Sequence, residues 1–299
     1  MTEPRWPDRM RAEPCSIVAT GGCNRKTEAR EDRKEGGRSM RENAVLRAWR
    51  EGKPTVGAWL SLPNTFSAEL MAHQGFDWLT IDMQHGLIDY NDVWPMLQAI
   101  SQTDTVPVVR VPWNDPQIIM KALDAGAYGI IVPLLNTAED AAKAVAACRY
   151  PPAGMRSFGP VRAGMYAGPG YVDEANDEIV LFGMIETRQG IENIEAICAT
   201  PGLDCVYIGP ADLSYALGLP PRGDNDTPIH LETCDRIRDT AHRHGIKAAM
   251  HCASAAFAAG AVARGFDLIM LTADVACMVA GARRQLDDLA ALKAQAAKV

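Results

Sequence analysis

The chain has 299 residues, 47% of them hydrophobic and 22% charged, with eight cysteines and a formal net charge of −7. That length and apolar content suffice for one α/β barrel with a full core, and no apolar run approaches the length that spans a bilayer, so no membrane partner is expected. Residues 1–40 hold nine Lys/Arg against seven Asp/Glu, leaving 21 against 30 and a net charge of −9 for the rest; such an acidic body argues against nucleic acid as a partner.

Residues 1–39 are rich in Arg, Glu, Gly and Pro and have almost no apolar periodicity, which predicts a disordered extension ahead of a single domain over 40–299. The extension has neither the apolar segment of a secretory signal nor the acid-poor composition of an organellar transit peptide, so a cytoplasmic location is expected. Met40 is an alternative start.

From residue 56 onward short apolar, β-branched runs alternate with longer helical segments, the pattern of repeated βα units. Eight strands are predicted, over 56–61, 78–82, 106–111, 129–133, 180–185, 204–208, 246–250 and 267–271. Eight parallel strands with intervening helices predict a closed (β/α)8 TIM barrel rather than an open sheet. Helix signals agree: Asp115-Pro116 places an N-cap acid before a first-turn proline and Gly126 follows as a stop. Thr137 to Asp140 reads as a capping box with Asp in place of Glu, and Thr227-Pro228 opens a helix that ends near Gly245.

Two regions break the rhythm. The Gly/Pro-rich stretch Pro151 to Tyr166 is longer than an ordinary loop, and we expect it to roof the functional site. After the eighth strand a helix is predicted over about 275–298, with Leu286, Leu289 and Leu292 in one apolar stripe that needs a partner surface on its own barrel or on a neighbouring subunit. The cysteines show no C-x-x-C spacing, and free buried thiols in a reducing compartment are expected.

Active sites of such barrels lie at the C-terminal ends of the strands, and four runs end there in chemistry-bearing residues. Glu186 follows the fifth strand, Asp212 follows the sixth, Asp82 and His85 close the second, and Arg110 ends the third. The two carboxylates suit a hard divalent cation such as Mg2+ or Mn2+, whose other positions go to water and substrate; alternatively they cap helices. His85 beside Asp82 suits a general base near neutral pH, against a merely solvated loop histidine. Arg110 would clamp a carboxylate or a developing enolate oxygen, or form a structural ion pair with Asp82 or Glu186. The turn Gly209-Pro210-Ala211-Asp212-Leu-Ser214 offers backbone amides to an anion.

Schiff-base chemistry needs a lysine aimed into the site. Of the lysines after residue 40 only Lys247 touches a strand, near its start and so at the wrong end, which leaves a metal ion as the electron sink. There is no Walker-type or G-x-G-x-x-G loop for a nucleotide cofactor.

The strings Asp82-Met-Gln84-His85-Gly, Val-Val-Arg110-Val-Pro, Gly126-Ala-x-Gly-Ile-Ile-Val-Pro133, Gly154-Met-Arg-Ser157, Met184-Ile-Glu186-Thr and Ile208-Gly-Pro-Ala-Asp212-Leu-Ser214 together resemble the HpcH/HpaI family of class II pyruvate aldolases, from about residue 44 to the C-terminus. The resemblance implies a barrel of the phosphoenolpyruvate/pyruvate superfamily type and reversible cleavage of 4-hydroxy-2-oxo acids to pyruvate and an aldehyde. It implies that Glu186 and Asp212 bind Mg2+, Mn2+ or Co2+, that His85 with Asp82 moves a proton by way of a water, and that Arg110 steadies the enolate. It further implies that Gln84 and the turn with Gly209, Pro210, Ala211, Asp212 and Ser214 hold the substrate. A homo-oligomer is implied, a hexamer whose paired subunits exchange C-terminal helices.

The chain departs from the family pattern at Gln84, where many members carry Glu, and at Met184, where many carry Gln. His251, where many relatives have a small residue, would either touch the aldehyde portion or serve the structure. The rival readings are a citrate-lyase-type or malyl-CoA-type carbon-carbon lyase, and a catalytically inactive barrel.

Overall fold

The computed structural model describes residues 40–296; residues 1–39, where the disordered extension is expected, and 297–299 lie outside the described residues. Every predicted run is a strand: β1 (Thr55–Leu60), β2 (Trp78–Asp82), β3 (Val106–Arg110), β4 (Gly129–Val132), β5 (Val180–Ile185), β6 (Cys205–Ile208), β7 (Lys247–His251) and β8 (Leu268–Ala273). Each pairs in parallel with the next, and β8 pairs with β1, so the sheet closes into a (β/α)8 barrel. Strands buried on both faces explain the continuous apolar runs; all four residues of β4, Gly-Ile-Ile-Val, are buried.

The helices between them are α1 (Ala44–Arg50), α2 (Thr65–Ala72), α3 (Tyr90–Ile100), α4 (Pro116–Asp124), α5 (Ala138–Cys148), α6 (Val161–Ala167), α7 (Tyr171–Glu178), α8 (Arg188–Glu192), α9 (Ile194–Cys198), α10 (Pro210–Ala216), α11 (Pro228–Arg243), α12 (Ala255–Ala263) and α13 (Asp274–Ala296). The predicted caps hold. Asp115 accepts from the Gln117 N–H ahead of Pro116, and Thr137 and Asp140 form a complete capping box. Helix α1 closes the N-terminal end of the barrel: the Trp49 ring meets Phe182 edge-on at 6.1 Å, and its indole N–H donates to the Asp267 carbonyl at 2.9 Å.

The Pro151 to Tyr166 stretch does not roof the site. It follows α5, so it is a helix-to-strand connection and lies at the N-terminal face. Arg156, buried at 2% exposure, donates to Asp124 Oδ1 at 2.8 Å and stacks over the Tyr150 ring at 4.4 Å. Arg162 donates to the Ala125 carbonyl and to Ser101 Oγ at 3.0 Å. Asp124, Ala125 and Ser101 sit at the C-terminal ends of α4 and α3, which in this architecture mark the face opposite the strand tips.

Helix α13 leaves the barrel after its first residue. Asp274 is buried and accepts from the Ser61 and Leu62 amides at 3.0 and 3.1 Å, whereas Leu286, Leu289 and Leu292 are exposed, so the chain's own barrel does not cover the stripe. Lys247 lies at the N-terminal start of β7, with Nζ 2.8 Å from Asp267 Oδ1, at the end away from the candidate site. Cys148, Cys198, Cys205, Cys234 and Cys252 are buried free thiols and Cys277 is an exposed one.

Candidate active site

In-register pairing of β2 with β3 sets Asp82 directly beside Arg110. The guanidinium grips the carboxylate twice, Nε to Oδ1 at 2.7 Å and Nη2 to Oδ2 at 2.6 Å, with both side chains nearly buried. Burial alone would raise the Asp82 pKa, but the bonds and charge of Arg110 outweigh it and hold the carboxyl below its usual range. Asp82 Oδ1 also accepts from the backbone N–H groups of Gln84 at 3.0 Å and His85 at 3.3 Å. One carboxylate therefore fixes both the arginine and the loop that carries the histidine. The His85 imidazole is exposed and makes no side-chain hydrogen bond among the described residues, nor does the buried Gln84 Oε1 find a partner among them.

Glu186 comes one residue after β5 and is 4% exposed. Its Oε1 accepts from the Leu134 N–H at 3.0 Å. Its Oε2 lies against the α-carbon of Gly209, where an added Cβ would sit 2.2 Å away. Burial pushes the Glu186 carboxyl up to about 7; the Leu134 N–H counters this, and the nearby negative charge of Asp212 adds to it. Asp212 is exposed in the first turn of α10.

A buried carboxylate lacking a full countercharge and repelled by a second one is what a cation would relieve. No group of three or more His, Cys, Asp or Glu placed to hold a metal occurs among the described residues. Two carboxylates, Glu186 and the nearby Asp212, would suit a hard cation that leaves its other positions to water and substrate.

The predicted turn divides in two. Pro210 lacks an N–H, and the Ala211 and Asp212 amides fall in the first turn of α10, where no helical acceptor exists for them. Ser214 is fully buried; its hydroxyl donates to the Pro210 carbonyl at 2.6 Å and accepts from Asn225 Nδ2 at 2.9 Å. Its hydrogen is therefore committed to shaping the turn.

Four further side chains pack against Arg110 or one another: Trp59, His251, Tyr207 and Met184. Trp59 on β1 lies under the Arg110 guanidinium at 4.9 Å and meets the His251 ring edge-on at 5.1 Å. Tyr207 on β6 places its hydroxyl 3.2 Å from His251 Nδ1. Met184 Sδ is 3.9 Å from Arg110 Nη1. Trp59 and Tyr207 escaped the sequence reading because an aromatic in an apolar strand looks like core; strand alternation, which turns them toward the barrel axis with Asp82 and Arg110, was the available signal.

Residues 55–280 match the family model described as HpcH/HpaI aldolase/citrate lyase. The chain is 42% identical over 250 residues to a hydroxypyruvate/pyruvate aldolase of Rhizorhabdus wittichii, covering 84% of this chain and 100% of that protein. It is 46% identical over 181 residues to a 4-hydroxy-2-oxo-heptane-1,7-dioate aldolase of Salmonella arizonae, covering 60% of this chain and 69% of that one. A solved HpcH/HpaI aldolase/citrate lyase family protein from Burkholderia cenocepacia J2315 superposes with a TM-score of 0.77 at 34% identity, covering 83% of this chain and 99% of the other. On its fold and these likenesses, the chain belongs to the HpcH/HpaI aldolase/citrate lyase family.

Proposed function

We propose that the protein is a divalent-cation-dependent aldolase that cleaves 4-hydroxy-2-oxo acids to pyruvate and an aldehyde and catalyses the reverse addition. The observation that carries this reading is the buried, charge-strained Glu186 carboxylate, which feels the charges of both Asp212 and Arg110. Glu186 and Asp212 would hold Mg2+, Mn2+ or Co2+, which when bound supplies a Lewis acid for the enolate charge.

The chain's own groups account for the rest. Arg110 spends Nε and Nη2 on Asp82, while among the described residues Nη1 bonds only to the Met184 thioether, a weak acceptor. That leaves Nη1 able to donate to a developing enolate oxygen. The free amides of Ala211 and Asp212 suit the substrate carboxylate. His85, held at the rim through its backbone bond to Asp82, takes the 4-hydroxyl proton by way of a water as the C3–C4 bond breaks and its electron pair enters the pyruvate enolate; in the addition direction it returns the proton. The unpartnered Gln84 amide oxygen adds an acceptor beside it.

A homo-oligomer, the hexamer expected above, is supported by the uncovered stripe of α13. Among the described residues no helix is long and apolar enough to cross a membrane, and the buried free thiols agree with the proposed cytoplasmic location. The test is a screen of aldehydes with pyruvate and Mg2+, Mn2+ or Co2+, following carbon-carbon bond formation by NMR. Chelation should abolish turnover, and metal-dependent cleavage surviving in Glu186→Ala would refute the assignment.

A further inference from the structure

The connection from β4 to α5 contains Leu134, the sole non-glycine residue with a left-handed backbone among the described residues, at φ 53°. A side chain there crowds the backbone, and such strain persists only where surrounding bonds enforce it. The strained residue is also the one whose N–H reaches Glu186 Oε1.

The enforcing bonds converge on Asn136. Its Nδ2 donates to the Leu134 carbonyl at 3.0 Å, and its Oδ1 accepts from the hydroxyl of Thr187, the residue bonded to Glu186. The backbone of Asn136 is anchored from two sides: its N–H donates to Asp140 Oδ2 at 3.1 Å, and its carbonyl accepts from Asn193 Nδ2 at 2.8 Å. A ring of contacts results, running from Leu134 N–H to the Glu186 carboxylate, through the peptide to Thr187, across to the Asn136 amide and back to the Leu134 carbonyl. Only a side chain that donates and accepts at once closes it, which an amide does.

We propose that Asn136 is a positioning residue for the cation-binding carboxylate: it holds Leu134 in its left-handed conformation so that the Leu134 N–H points Glu186 toward Asp212. This rests on the proposed cation site. Partners of a metal-binding side chain affect affinity by about 10- to 100-fold.

The test is the Mn2+ dissociation constant of the full-length protein, read from the EPR signal of free Mn2+ with no substrate present. Asn136→Ala should weaken binding about 10-fold or more. In the Leu134→Gly background the left-handed backbone no longer needs enforcing, so adding N136A there should cost less than about threefold; general loosening of the loop would instead enlarge the penalty. Asn136→Ser, too short to span both partners, gives the same comparison should N136A not fold. An N136A affinity within about twofold of wild type, or an equal penalty in both backgrounds, overturns the proposal while leaving the cation site standing. Wild-type protein that binds no Mn2+ overturns both.

Discussion

Arg110 and Asp82 form a two-point buried ion pair at the tips of neighbouring strands, with both contacts at or below 2.7 Å. Removing one partner strands a charge, whereas replacing both removes the problem. Arg110→Met should therefore cost about 3–5 kcal/mol in urea unfolding, and the double variant Asp82→Asn/Arg110→Met should recover more than half of that. A double variant no better than the single one would show that the pair is not the source. The Asp82 pKa is depressed, so its contribution is present above the unfolded value and is lost only as pH falls through the folded one; between pH 5 and 8 this group should add no slope.

Glu186 behaves in the opposite sense. Its folded pKa is raised from 4.5 to about 7, so its contribution to stability is full below the unfolded value and is lost as pH rises through the folded one. Metal-free wild-type protein should lose about 3 kcal/mol from this group between pH 4.5 and 8. Metal-free Glu186→Gln should lack that slope in urea unfolding. Equal slopes in the two proteins would contradict the burial argument.

Gly209 touches Glu186 without a side chain because there is no room for one. In Gly209→Ala the added carbon would lie 2.2 Å from Oε2 and 3.0 Å from Met184 Cε, and the carboxylate must swing away. Mn2+ affinity should fall about 10-fold or more. Calorimetric titration showing affinity within about twofold of wild type would mean the turn yields instead.

His251 should stay neutral through the physiological range. Burial and the Arg110 charge lower its pKa to about 4. Tyr207 is fully buried, and its hydroxyl has no acceptor other than His251 Nδ1 among the described residues, so the hydroxyl donates and the ring hydrogen resides on Nε2. Nitrogen-15 NMR should show the Nε2–H tautomer and no protonation above pH 5. Because this pKa is depressed, stability from the neutral ring is present above about 6.5 and is lost as pH falls toward 4. A titration midpoint near 6.5 would contradict the arrangement.

The barrel was legible in the residues because parallel strands buried on both faces must be apolar throughout, and helix caps mark the gaps between them. Asp82, Arg110 and Glu186 stood out for a related reason: a charged residue at the end of an apolar strand is costly unless it has a partner or a task. Contacts between distant segments were not legible. The Pro151 to Tyr166 stretch looked like a lid from its length, but its place after a helix sends it to the opposite face, where Arg156 and Arg162 bind helix ends. The bond from Asn225 to the Ser214 hydroxyl, eleven residues back, is another such contact. Trp59, Tyr207 and His251 come from three strands far apart in the chain, and only closure of β8 onto β1 brings them under Arg110. Local order followed from side-chain polarity and backbone preference along the chain; the partner of each polar group was decided by barrel closure, because hydrogen bonds and ion pairs act over a few ångströms irrespective of sequence separation.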